Sequence, residues 1–199
     1  MQLDEKWAFV AKKQEHCDDA AAADARRGDS WDHVAFDPEH RLVVAVVPGK
    51  RTAANCHRLV EEFARRTQRR IMRLMTSDDY PSYKIAILDV YGLRSVPLKL
   101  AHPGRSGQQR SLPFKRPPPA LNYARLCKHR EHGRVVKVDV EVVFGTAASV
   151  HAALKQSAVS RAANVSFVER HNGTDRHRAT RARAAGPTAS RRTGRCTRP

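Results

Sequence analysis

A chain of 199 residues can bury a real core and is long enough for one domain with tails. Its formal charge of +17 and pI near 10.6 favour a polyanionic partner, since releasing counterions from phosphates rewards such a surface. No apolar run approaches a membrane span, and the N-terminal stretch has no signal-peptide pattern.

The charge is uneven. Residues 1–39 hold ten acids against five Lys or Arg, whereas Val90 to Arg130 contains no Asp or Glu. An acidic centre serving a basic binding face explains the split; a solvated surface and tail is the plainer alternative. Cys17, Cys56, Cys127 and Cys196 are scattered, with no CxxC and no zinc-finger spacing, so neither a disulfide framework nor structural zinc is expected, and a reducing cytoplasm fits.

In chain order, LDEKWAFVA (3–11) alternates as a strand, and 12–30 reads as a polar loop. WDHVAFD (31–37) and RLVVAVVPG (41–49), divided by Pro38-Glu39-His40, complete an antiparallel meander. An amphipathic helix follows over 52–70, with Thr52 as N-cap and Cys56, Leu59, Val60 and Phe63 at helical spacing. Residues 70–78 read as a short buried strand ending on an acid, and 80–92 as a helix with Pro81 in its first turn. Residues 92–120 carry six of the eleven prolines and only basic charge, as an extended loop or linker. A long hairpin is expected over 121–131 and 134–144 about His132-Gly133, then a Thr-capped helix at 146–156 and a final helix from about 164 to 178. Residues 179–199 lack apolar periodicity and read as a disordered basic tail. The whole describes an α/β domain with a mixed sheet.

Three carboxylates fall where chemistry needs them: Asp4 in the first strand, Asp78 by the end of the fourth, and Glu169 on the last helix. Clustered carboxylates are costly without cations, so the trio implies hard divalent metals, Mg²⁺ or Mn²⁺. Two such ions would serve an in-line phosphoryl transfer. Asn172 and Arg176, at i+3 and i+7 from Glu169, share its helix face and are suited to hold the carboxylate or a phosphate. Spacing leaves Glu5 and Asp79 as competitors. The tryptophans Trp7 and Trp31 read as core, Tyr80 and Tyr83 as helix packing, and the histidines show no ligand spacing.

The runs DEKWAFVAKKQ (4–14), VVPGKRT (46–52), TSDDYPSY (76–83) and SFVERHNGTDRHR (166–178) resemble the DDE transposase domain of the "insertion sequence one" type, in order, over about residues 1–178. The resemblance implies a ribonuclease-H-like catalytic core, with a three-stranded antiparallel meander, further strands, flanking helices and an added β-hairpin. It implies that Asp4, Asp78 and Glu169 are the catalytic acids and the ligands of two Mg²⁺ or Mn²⁺ ions, preferring Asp78 over Asp79. It also implies DNA, both transposon ends and target, as the partner, and a homodimer assembled on that DNA. Lys12, Lys13, Lys50, Arg51, Arg170, Asn172 and Arg176 are the expected DNA contacts, which position the backbone rather than read sequence. Members of that family begin with a zinc-ribbon-like or helix-turn-helix DNA-binding region, and they continue past the Glu helix with an R-K-T-x-x-F-S-K-like stretch. The chain begins three residues before Asp4, and RATRARAAGPTASRRTGRC replaces the latter pattern. The expectation is a truncated copy with a shifted reading frame at its end. Its alternatives are an inactive remnant binding nucleic acid through charge, or a nuclease on the same fold.

Overall fold

The computed structural model describes residues 1–18, 20–95 and 114–184. In chain order, β1 (Gln2–Val10), β2 (Gly28–Asp37) and β3 (Leu42–Gly49) form the meander, followed by α1 (Ala53–Arg66), β4 (Met75–Asp78) and α2 (Ser82–Tyr91). Then come β5 (Leu93–Ser95), β6 (Phe114–Arg116), β7 (Tyr123–Glu131), β8 (Arg134–Phe144), α3 (Ala147–Gln156) and α4 (Ser166–Ala184). The protein is α/β. Its main sheet has six strands in the order β3-β2-β1-β4-β7-β8, while β5 and β6 make a separate pair. The sheet is mixed: β1 runs parallel to β4 and β4 parallel to β7, and the other pairings are antiparallel.

Period-two alternation divides β1 between two cores. On one face, α1 and α2 pack Leu59, Val60, Phe63, Tyr83, Ala86 and Ile87 against Leu3, Ala35, Ala45, Met75 and Tyr123. On the other, Val165, just before α4, and Val168 within it pack onto Val34, Phe36 and Leu126. The first core is the larger, and each of its fully buried large side chains contributes about 1.5–3 kcal/mol. Phe63→Ala in its centre would cost about 3–5 kcal/mol. The α1 helix starts where Thr52 turns its hydroxyl to the Asn55 N–H at 3.3 Å, supplying one of the donors that a helix start leaves unpaired. The α3 helix begins with a reciprocal box between Thr146 and Ser149. Between β7 and β8, His132 and Gly133 both take positive φ, 48° and 78°, the two-residue turn whose twist suits a hairpin.

Four details depart from the sequence reading. The fourth strand is confined to Met75–Asp78, because Gln68 and Arg69 take positive φ and end α1 in a tight irregular turn. The stretch 92–120 is not all loop, since β5 and β6 pair at its flanks; residues 96–113 lie outside the described part. The last helix runs on to Ala184, so 179–184 is helical rather than tail, and 185–199 lies outside the described residues. Trp7 is not core. It is 38 % exposed, because β1 extends past the helices that cover its first half, and it rests on Phe9 with ring centroids 5.8 Å apart. Cys17, Cys56 and Cys127 are free thiols. Among the described residues, no helix is long and apolar enough to cross a membrane.

Candidate active site

The parallel register sets Gln2 beside Thr76 and Leu3 beside Ser77, so the next position pairs Asp4 with Asp78 on neighbouring strands, one strand spacing apart. Both point to the α4 face. Asp78 pairs in register with Leu126, which packs under α4, and the Asp4 Oδ2 accepts a hydrogen bond from Asn172 Nδ2 of α4 at 2.8 Å.

Three alternate residues of β1 stitch that strand to α4. The Gln2 amide donates to the carbonyl and the side-chain oxygen of Asn164, at 2.8 and 2.9 Å. Its own oxygen accepts the Phe167 and Val168 N–H groups, at 3.1 and 3.0 Å. A strand side chain therefore satisfies two of the donors that the start of α4 leaves open. Asp4 meets Asn172 as above, and Lys6 pairs with Asp175 and with Asp32. Glu169, in the first turn of α4, is held over the strand tips by this ladder.

The competitors are turned elsewhere. Glu5, one position from Asp4, faces α1 and α2, where Arg51 binds it at 3.0 Å. Asp79 forms an ion pair with Arg125 at 2.9 Å on the same far side. Alternation puts Glu5 on the face opposite Asp4, and Asp79, just past the end of β4, turns away from Asp78 to Arg125.

Electrostatics marks the site as strained. Burial, reinforced by the charge of Asp78, pushes the Asp4 carboxyl up to about 6, against the lowering bond from Asn172. Burial also raises Asp78, with Arg51 and Lys128 opposing and Glu169 adding to the rise. Burial carries Glu5 to about 7, although Tyr83 and Arg51 pull it down. The Asp78 Oδ1 and Asn172 Oδ1 atoms are buried without a hydrogen-bond partner.

A positive charge already sits among these acids. Lys128 of β7 pairs with Glu169 and also lowers the pKa of Asp78. No sequence reading singled it out; its signal was Leu126, Lys128 and Arg130 alternating on the face that the hairpin turns toward α4. Among the described residues, no group of three His, Cys, Asp or Glu side chains is gathered closely enough to hold a metal ion. The fit to a cation therefore rests on Asp4 and Asp78, two raised carboxyls, with the buried Oδ1 of Asp78 left without a partner, while Glu169 is engaged by Lys128.

The expected DNA contacts divide. Lys12 is bound to the buried Asp24 at 2.6 Å, Lys50 donates to Gln14 at 2.8 Å, and Arg51 is drawn to Glu5 and lies over the Tyr80 ring at 4.2 Å. Asn172 is 3 % exposed and serves Asp4. Lys13, 3.5 Å from Glu15, and Arg170 and Arg176 on α4 are exposed. Compared with known proteins, the chain matches no protein-family model, no curated protein and no solved structure.

Proposed function

We propose that the chain is the ribonuclease-H-like catalytic core of a DDE transposase, cutting and rejoining DNA with Asp4, Asp78 and Glu169. One observation carries the reading: Asp4 and Asp78 lie side by side at adjacent parallel strands, on the face crossed by the helix that carries Glu169 and Asn172. The motif resemblance over residues 4–14, 46–52, 76–83 and 166–178 supports it, as does a meander that leads into two parallel strands. Asp4 and Asp78 would hold two Mg²⁺ or Mn²⁺ ions, with Glu169 joining them once released from Lys128. Bound there, such ions would supply an activated water and charge stabilisation for in-line phosphoryl transfer.

The chain's own groups have defined tasks in this reading. Asn172 keeps Asp4 Oδ2 turned to α4, Gln2 fixes the height of Glu169, and the exposed cations Lys13, Arg170 and Arg176 steer the DNA backbone. Water attack frees a 3′-OH, and that hydroxyl then attacks a target phosphodiester with loss of the strand it displaces. The test is nicking of supercoiled DNA with Mg²⁺ or Mn²⁺. Nicking by the wild type that vanishes in Asp78→Asn supports the enzyme, and a joined strand-transfer product separates a transposase from a nuclease.

A second reading, a non-catalytic binder of nucleic acid, is favoured by the ion pair between Lys128 and Glu169. DNA binding that is equal with and without divalent cations, and never followed by cleavage, would decide for it.

A further inference from the structure

The two edges of the six-stranded sheet are built differently. At the β3 edge the register slips between Ala35 and Phe36 and leaves Val44 out. Arg66 donates to the Val44 carbonyl at 2.8 Å, and Pro48 lies near the strand's end. The proline and the covered carbonyl, more than the bulge that both edges share, are what stop the β3 edge from pairing. The β8 edge is eleven residues long and has no proline. Its register against β7 slips at Val136 and again at Val143, and between them runs regularly from Lys137 to Val142.

Along β8 the valines Val136, Val138 and Val140 are 54 %, 45 % and 48 % exposed. They alternate with Lys137, Asp139 and Glu141. Val138 and Val140 stand opposite Lys128 and Leu126 of β7, so this apolar stripe is on the face of α4. The stretch Val136-Lys137-Val138-Asp139-Val140 is its own complement when reversed. In an antiparallel pair centred on Val138, Val138 meets Val138 of the second copy, and each Val136 meets a Val140. Each Lys137 then meets an Asp139.

We propose that β8 is a self-complementary edge through which two copies of this chain join, without DNA, into one continuous twelve-stranded sheet. The inference rests on β8 alone and does not need the catalytic reading. Backbone hydrogen bonds supply the adhesion. The three valine contacts and two Lys–Asp contacts fix the register, since opposite charges directly across strands stabilise and like charges destabilise. A one-residue slip would set valines against charged side chains on the wrong face. The joint is isologous, with its two-fold axis perpendicular to the sheet. Both α4 helices, and with them both acidic sites, then lie on the same side of the dimer. Counting strands at their usual spacing puts the two sites about 25–35 Å apart.

The test is sedimentation of the DNA-free protein over a micromolar concentration series at moderate salt, with circular dichroism melting to check the fold of each variant. The wild type is expected to shift from one copy to two as concentration rises. Val138→Lys sets two ammonium groups against each other at the axis, and is expected to weaken dimerisation at least tenfold. Lys137→Asp and Asp139→Lys should each do the same. The double exchange K137D/D139K should restore the dimer, because it swaps the partners without changing their pairing. A wild type that remains a single copy at every concentration overturns the proposal, as does one that pairs only when DNA is present. So does a dimer that survives Val138→Lys, or one that the double exchange fails to restore.

Discussion

Asn172 donates to Asp4 across 168 positions of sequence at 2.8 Å, and so ties the last helix to the first strand at the most crowded carboxyl of the site. That bond is the only one of the causes acting on Asp4 through a side-chain donor, and it opposes both burial and the charge of Asp78. Asn172→Ala removes the donor and leaves the Asp4 oxygen buried without it. The cost expected is about 1–3 kcal/mol of stability, read by urea denaturation. The Asp4 pKa should climb further above 6, read by NMR titration. Unchanged values for both would refute this role.

The pH dependence has a defined sign. Asp4 is raised from 3.8 to about 6 and Glu5 from 4.5 to about 7, so the folded chain binds protons more tightly than the unfolded one. The stability from these groups is fully present below about pH 4 and is lost as pH rises to about 7. The loss is on the order of 3 kcal/mol per group. Thermal melts in a chelator should show the decline over that window. Mg²⁺ should remove the part due to Asp4 and leave the part due to Glu5, which faces away.

Lys128 occupies the position of a cation among acids, so removing its charge should favour a metal. Lys128→Met is expected to tighten Mn²⁺ binding roughly tenfold, about 1.4 kcal/mol, as suits one unit charge a few ångströms away in a partly screened site. Calorimetry with Mn²⁺ reads this directly. Weaker binding in the variant would show that Lys128 helps to build the site rather than competing with its ion.

Gln2 is buried and bridges β1 to the start of α4 through four hydrogen bonds. Gln2→Leu keeps the volume but abandons the Phe167 and Val168 N–H groups and the Asn164 oxygens. A loss of about 2–4 kcal/mol follows from these unsatisfied groups. Hydrogen exchange should speed up at Phe167 and Val168 before it does in α1, which shares none of these bonds.

Much of this arrangement is written in local pattern. Thr52 and Thr146 announce their helices, His132-Gly133 announces the hairpin, and alternation along β1 puts Asp4 and Glu5 on opposite faces. What alternation does not say is which face a distant helix covers. Hence Glu5 and Asp79 are set apart from Asp4 and Asp78 only by the seating of α4 against Gln2, Asp4 and Lys6. Lysines and arginines carry even less local information. Lys12, Lys50 and Arg51 resemble free surface charge in the chain, yet each is taken by Asp24, Gln14 or Glu5, partners reached only after the strands have paired. Trp7 misled because a large aromatic residue on a strand is normally covered, and β1 outruns its covering helices.

The ladder from Gln2, Asp4 and Lys6 to α4 joins segments separated by 162 to 169 positions. Such distant closures are slow and come late in folding. On a ribosome, the meander and α1 can therefore settle early while the carboxylates at the strand tips are still open to solvent. The carboxylate cluster is thus the last part of the chain to be assembled, and a half-made polypeptide lacks it altogether.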